Sequence, residues 1–264
     1  MIAMSEPLVQ VRVQDRAGTI VLNRPDRRNA LSRALLGELS QALSDLHGER
    51  KVAAVVLTGA GPAFCAGMDL SEMLATSRED DAQQRWQEDA VTYRDLMLSM
   101  LRFPKPLIAA VNGPAVAGGA GLVLACDLVV AARGATFGLP EPRRGLVAGL
   151  VAPLLAFRVG GGHAARLLLG AELIDAGEAY RIGVYHELVD EGQTSARAAE
   201  LAAQCARSAP QALQLTKRML NETVGEPLVT LLAAGAAASA TARTTEAAEE
   251  GLAAFLEKRE PVWR

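Results

Sequence analysis

The chain has 264 residues, and 27 lysines and arginines against 30 aspartates and glutamates leave a net charge of −3 with the three histidines neutral. Half the residues are hydrophobic and 22% are charged, which excludes wholesale disorder and supplies a sizeable core; at ~150 residues per domain, the length falls between one large domain and two small ones. The near-neutral balance argues against an electrostatic nucleic-acid binder, and no apolar run reaches the ~20 residues of a membrane span.

Residues 8 to 23 alternate apolar and polar around Asp15-Arg16-Ala17-Gly18, which reads as a hairpin joining Leu8–Val13 to Thr19–Leu22. Ser32 offers a helix N-cap, and Leu35, Leu39, Leu43 and Leu46 recur at helical spacing up to Gly48. The run Val52–Leu57 lacks polar alternation, as a strand covered on both faces does. A polar helical stretch from Arg78 to Leu101 leads to a second buried strand, Leu107–Val111. A small-residue helix from Gly118 to Cys126 follows, then strand Leu128–Ala131 and an extended piece at Thr136–Gly138. Residues Ile174–Ile182 read as helix and Tyr185–Val189 as extended. After Gly192 only helices are expected, over 195–208, 210–223 and 226–258, interrupted at Pro210 and Pro227. The compositional break divides the chain into 1–192 and 193–264.

Aromatics make up 4% of the chain and glycines number 24, so packing depends on close approach of small residues. Cys65, Cys126 and Cys205 are odd in number and lack ligand spacing, against a disulfide framework or a zinc site. They read as small buried residues, and His47, His163 and His186 as surface or structural ones. The amino-terminal MIAMSEPLVQ has no basic segment followed by an apolar one, so a cytoplasmic protein is expected.

Two segments share one design, a buried strand followed by a loop of small residues and then a helix. The first loop runs from Gly59 to Asp69, the second from Asn112 to Gly121. Neither matches the phosphate-binding or serine-hydrolase patterns. Each glycine alone is an ordinary turn or packing residue. Two such loops side by side, however, present bare backbone N–H groups able to hold a developing oxyanion.

Leu22-Asn23-Arg24-Pro25 with Arg28-Asn29-Ala30-Leu31, Phe64-Cys65-Ala66-Gly67-Met68-Asp69-Leu70, Val111-Asn112-Gly113-Pro114-Ala115 through Gly118-Gly119 to Ala125-Cys126-Asp127-Leu128, and Phe137-Gly138-Leu139-Pro140-Glu141 resemble, in order, the crotonase superfamily of enoyl-CoA hydratases and isomerases. Ala254-Phe255-Leu256-Glu257-Lys258-Arg259 resembles the family's closing signature. The resemblance implies an α/β fold, a spiral of ββα repeats with a C-terminal helical trimerisation region, assembled as a homotrimer or a dimer of trimers. It implies an acyl-CoA thioester as ligand, with coenzyme A part of the substrate and no separate cofactor or metal.

By the same resemblance the oxyanion donors are the N–H groups of Met68 and Gly118, and the acid/base is Glu141. Hydratases with two glutamates carry the first where this chain has Gly121, so a two-carboxylate mechanism is not available. Asp69 and Asp127 fall on positions used as turn and cap residues. Glu141 has an alternative as a solvated carboxylate paired with Arg143 or Arg144. Arg27, Arg28, Ala30, Ala66, Asp69 and Leu70 fall in the segments that wrap coenzyme A, and Phe255 and Lys258 on positions that close its site, often from a neighbouring subunit. Hydration of a 2-enoyl thioester is the expected reaction, with 3-enoyl to 2-enoyl isomerisation as the rival. A catalytically silent acyl-CoA-binding or RNA-associated homologue is the alternative outside enzymes.

Overall fold

A computed structural model describes residues 6–223 and 226–263. Strands β1 (Val9–Gln14) and β2 (Ala17–Leu22) pair antiparallel, with Gln14 opposite Ala17. The turn is only Asp15-Arg16, both at positive φ (46° and 68°), the sign a two-residue hairpin needs to match strand twist. Gly18, expected in the turn, lies inside β2. A Cβ there would come 2.9 Å from the Leu46 side chain, so this glycine admits helix α1 (Arg33–Gly48), whose N-cap is Ser32 as expected.

The chain continues through β3 (Ala54–Gly59), α2 (Leu70–Thr76), α3 (Ala82–Arg102), β4 (Leu107–Val111), β5 (Ala115–Val116), α4 (Gly118–Ala125), β6 (Leu128–Ala132) and β7 (Thr136–Gly138). A 3-10 turn at Glu141–Arg144 precedes α5 (Ala152–Gly170), β8 (Leu173–Asp175), α6 (Ala176–Arg181) and β9 (Glu187–Val189). The main sheet has the order β1-β2-β3-β4-β6-β9 and is parallel from β2 onward. A small sheet, β5-β7-β8, stands beside it.

The apolar runs of β3 and β4 follow from burial on both faces. Val55, Leu57, Ala109 and Val111 join the main core with the leucines of α1 and the inner face of α3. Their alternates, Ala54, Val56, Ile108 and Ala110, pack on Ala198 and Ala202 of α7 (Thr194–Cys205). Helix α7 begins just past residue 192 and supplies the layer over the second sheet face. Parallel strands covered twice have no polar side to show in sequence.

Beyond α7 come α8 (Pro210–Arg218), a widened helical turn at Met219–Thr223, α9 (Glu226–Ala242) and α10 (Glu246–Glu257). The single helix expected over 226–258 is therefore two. Thr245 caps the second, its side chain accepting from Ala248 N at 3.2 Å. The break folds α10 back onto the Glu141–Arg144 turn, so closely that a Cβ on Gly251 would lie 2.4 Å from the Arg144 carbonyl. Lys217 of α8 is buried and ties the tail to the core: its Nζ lies 2.7 Å from Asp127 Oδ2 and donates to the carbonyls of Met100 and Lys105. No helix among the described residues is long and apolar enough to cross a membrane. Residues 1–5, part of the segment read as lacking a leader, lie outside the described residues.

Candidate active site

Two asparagines shape the first glycine loop. Asn29, fully buried at positive φ, donates from Nδ2 to the carbonyls of Ala60 and Ala63 at 2.9 Å and accepts from Arg24 N through Oδ1. Asn112, at the head of the second loop, accepts from Gly59 N and donates to Gly61 O. A bridge between Cys65 and Ala115, with Val116 N donating to Cys65 O at 3.0 Å, lays the loops side by side.

This contact brings the expected oxyanion donors together. Gly67 has φ +91°, and a Cβ on it would sit 2.7 Å from Ala117 Cβ and 3.1 Å from Gly118 N. Ala117 itself holds φ 53° and ψ −123°, a conformation that costs a non-glycine residue about 1–3 kcal/mol and clusters at functional sites. Its N–H donates to Gly138 O at 2.9 Å, which aims Gly118 as the first residue of α4. The β-carbon position of Gly118 lies 3.6 Å from Met68 N. Leu31 N donates to Gly67 O and Leu31 O accepts from Asp69 N, so Met68 N–H points the other way. Neither Met68 N–H nor Gly118 N–H donates to another described residue.

Both donors line a mouth-open, mostly apolar cavity, the kind of concave site that takes small molecules. Glu141 lines it too, 9% exposed, with no hydrogen-bond partner on Oε2 among the described residues. Burial pushes its carboxyl up to about 7, opposed by its own backbone N–H and the charge of Arg144. A solvated pairing with Arg143 or Arg144 does not describe this group. Arg144 stacks instead over Phe255 at 4.5 Å and donates to Pro140 O.

The space a side chain at Gly121 would fill is occupied. A Cβ there would lie 2.2 Å from the Tyr93 hydroxyl, which is buried and donates to Gly118 O at 2.5 Å. Burial, Cys65 and Glu141 raise its pKa well above the ordinary value, so it remains a neutral donor. Tyr93 is absent from the sequence-derived candidates, as are Ser239 and Arg243, which also line the cavity. Nothing in one sequence links a tyrosine in a polar helical stretch to a glycine 28 positions later.

The other candidates separate by environment. Ala66, Leu70 and Phe255 line the cavity, the last from the same chain's α10. Arg27 and Arg28 are exposed in the turn before α1, and Ala66 N donates to Arg28 O, placing that turn at the rim. Ala30 accepts from Arg24 through its carbonyl. Lys258 is an exposed left-handed cap at the end of α10.

Asp69 caps α2 through Oδ1 and pairs with Arg24 through Oδ2 at 2.6 Å. Burial works against its charge, but Arg24 and the cap N–H groups hold its pKa below the ordinary value. Asp127 accepts from Leu107 N and pairs with Lys217. Cys65 and Cys126 are buried thiols pushed up to about 12, which makes them inert. His186 accepts from Val129 N through Nδ1.

Comparison with known proteins bears on the family. The family model described as enoyl-CoA hydratase/isomerase matches residues 13–264. A Thermus thermophilus protein with a provisional enoyl-CoA hydratase name is 42% identical over 96% of this chain and 99% of its own. The 2,3-dehydroadipyl-CoA hydratase of Escherichia coli is 36% identical over 99% of both chains. The crystal structure of an enoyl-CoA hydratase from Mycobacterium avium superposes with a TM-score of 0.87 at 33% identity, covering 98% of this chain and 100% of the other. The fold is the α/β crotonase fold with C-terminal helices, and the chain belongs to the enoyl-CoA hydratase/isomerase family.

Proposed function

We propose that the protein hydrates a 2-enoyl-CoA thioester, with Glu141 as its single acid/base. The observation that carries this reading is the state of Glu141: a carboxyl raised to about 7 by burial, with an unpartnered oxygen, in the cavity lined by two unpartnered N–H donors. A group with that pKa exchanges protons readily at neutral pH.

The thioester oxygen sits between Met68 N–H and Gly118 N–H. Ionised Glu141 takes a proton from water as the oxygen of that water bonds to C3. The C2–C3 π electrons pass into the thioester, and the enolate oxygen's charge is met by the two N–H groups without reorganisation. Protonated Glu141 then delivers the proton to C2, so one water adds and the carboxylate is restored. The Tyr93 hydroxyl holds Gly118 O from behind and keeps the donor loop in place.

Exposed Arg27, Arg28 and Lys258 are suited to the phosphates of coenzyme A, while Ala66 and Leu70 line its path. Exposed apolar residues on the tail, Leu215, Leu220, Val229 and Leu231, support assembly into a trimer or a dimer of trimers, which light scattering on a sizing column tests. Isomerisation is the second reading. It is favoured by one observation: the Tyr93 hydroxyl fills the space a side chain at 121 would take, and one carboxylate is enough to carry a proton between C2 and C4. Reaction in deuterated water separates the two. A 3-hydroxyacyl product supports hydration, whereas label at C4 without a hydroxyl overturns it. Full activity of Glu141→Gln on the best substrate would remove Glu141 from either mechanism.

A further inference from the structure

The cavity holds a buried cation that the reaction does not use. Arg243 occupies the break between α9 and α10, its side chain only 8% exposed, and it faces the cavity beside Ser239. Its Nη1 has no hydrogen-bond partner among the described residues. The nearest acid is Asp89, whose Oδ2 is 3.8 Å away. That carboxylate is already gripped by Arg33, with Nε 2.7 Å from Oδ1 and Nη2 2.9 Å from Oδ2. Two guanidinium groups thus share one carboxylate, and Arg243 has the longer contact, with no hydrogen bond at Nη1. A guanidinium does not shed its proton to escape burial, and a buried charge without a matched partner is costly. A wall built this way is suited to an incoming anion, and the planar fork of arginine fits a carboxylate.

The position selects which part of a substrate would meet it. Asp89 precedes Tyr93 by one turn of α3, ~6 Å along the helix, and the Tyr93 hydroxyl touches the Gly118 carbonyl. Arg243 and the two oxyanion donors line one cavity, with apolar Ala90, Met73 and Val151 also in its wall. Phosphates of coenzyme A lie at the far end of a long arm, and exposed Arg27, Arg28 and Lys258 are available to them. A group reaching Arg243 belongs to the acyl chain.

Resting on the hydratase reading of the same cavity, we propose that the acyl chain of the substrate ends in a carboxylate that Arg243 receives. The substrate is then the monothioester of a short 2-enedioic acid.

The test compares two thioesters of equal length, 2-hexenedioyl-CoA and 2-hexenoyl-CoA. Wild-type protein is expected to favour the diacid at least tenfold in kcat/KM. Arg243→Met is expected to lower that ratio at least tenfold, with Arg243→Lys intermediate. Equal or reversed preference in the wild type overturns the proposal, as does a ratio that survives Arg243→Met. A binding arm on the wild type needs neither turnover nor a folded variant: calorimetry should find adipoyl-CoA at least tenfold tighter than hexanoyl-CoA, and equal affinities overturn the proposal. If neither enoyl thioester is hydrated yet adipoyl-CoA binds more tightly, the hydratase reading fails and the carboxylate site stands. Hydration of both without preference has the opposite meaning.

Discussion

Glu141→Gln should make the protein more stable as pH rises while removing its activity. Folding moves this carboxyl from 4.5 to about 7, so the folded state holds the proton more tightly than the unfolded one. Below pH 4.5 both states are protonated and burial of the acid carries no penalty. As pH rises from 4.5 to about 7 the unfolded chain ionises first, stability is lost, and above that the full penalty, about 3 kcal/mol, is present. Glutamine never ionises. The stability of the variant relative to wild type should therefore grow by about 2–3 kcal/mol between pH 5 and pH 8, whatever constant offset the amide introduces. Against a typical total of ~5–15 kcal/mol this is easily measured. Urea unfolding of both proteins across that range gives the difference directly, because all other titrations cancel. A difference flat to within ~0.5 kcal/mol would mean that the carboxyl titrates as an ordinary surface group, and the case for it as a tuned acid/base would fall. Hydration by the variant should drop about 10²–10⁴-fold, the usual worth of a positioned proton-transfer group.

The same carboxyl predicts that kcat/KM for hydration rises with pH through about 7, a limb absent from the residual rate of Glu141→Gln; a pH–rate profile flat from 5 to 9 refutes it. Gly67→Ala would press a Cβ to 2.7 Å from Ala117 and 3.1 Å from Gly118 N at φ +91°, and should lower kcat about 10²-fold or more by parting the two donors. Wild-type kcat would show that the pair is not the oxyanion site. Lys217→Met should destabilise by about 3–5 kcal/mol, since it leaves the Asp127 charge and two carbonyls without their buried partner; loss under ~1 kcal/mol in urea unfolding would mean that this ion pair is not what ties the tail down.

The strands and loops that form the site were readable because their chemistry is local. Val52–Leu57 and Leu107–Val111 show no alternation because both their faces are covered, and the glycines after them are needed where two backbones touch. Glu141 stood out through the motif around it, though its burial comes from elements far along the chain. What escaped depends on distant pairs. Gly18 looked like a turn residue and is a contact for Leu46, 28 residues later. The break at 243–245 lies in an alanine-rich run with no proline or glycine at the join; only Thr245 marks it, as an N-cap. Missing that break hid Arg243, because an arginine inside one long helix has no reason to face the cavity.

Gly121 and Tyr93 are best understood as one packing unit spread over two elements. The space beside Gly121 is not vacant, because the Tyr93 hydroxyl lies 2.2 Å from where a β-carbon would be and bonds to Gly118 O. The tyrosine thus requires the glycine. In a double-mutant cycle, Gly121→Ala alone should cost about 1–3 kcal/mol through overpacking. Tyr93→Phe alone should cost about 1–2 kcal/mol, chiefly the lost hydrogen bond to Gly118 O. Together they should cost clearly less than the sum, since the phenyl edge no longer carries the atom that clashes. Additive costs in urea unfolding would show that the hydroxyl and the absent side chain do not compete for one space. Coupling would show that the hydroxyl and a side chain at 121 compete for one space, in which the neutral hydroxyl supports the Gly118 carbonyl at the head of the donor helix.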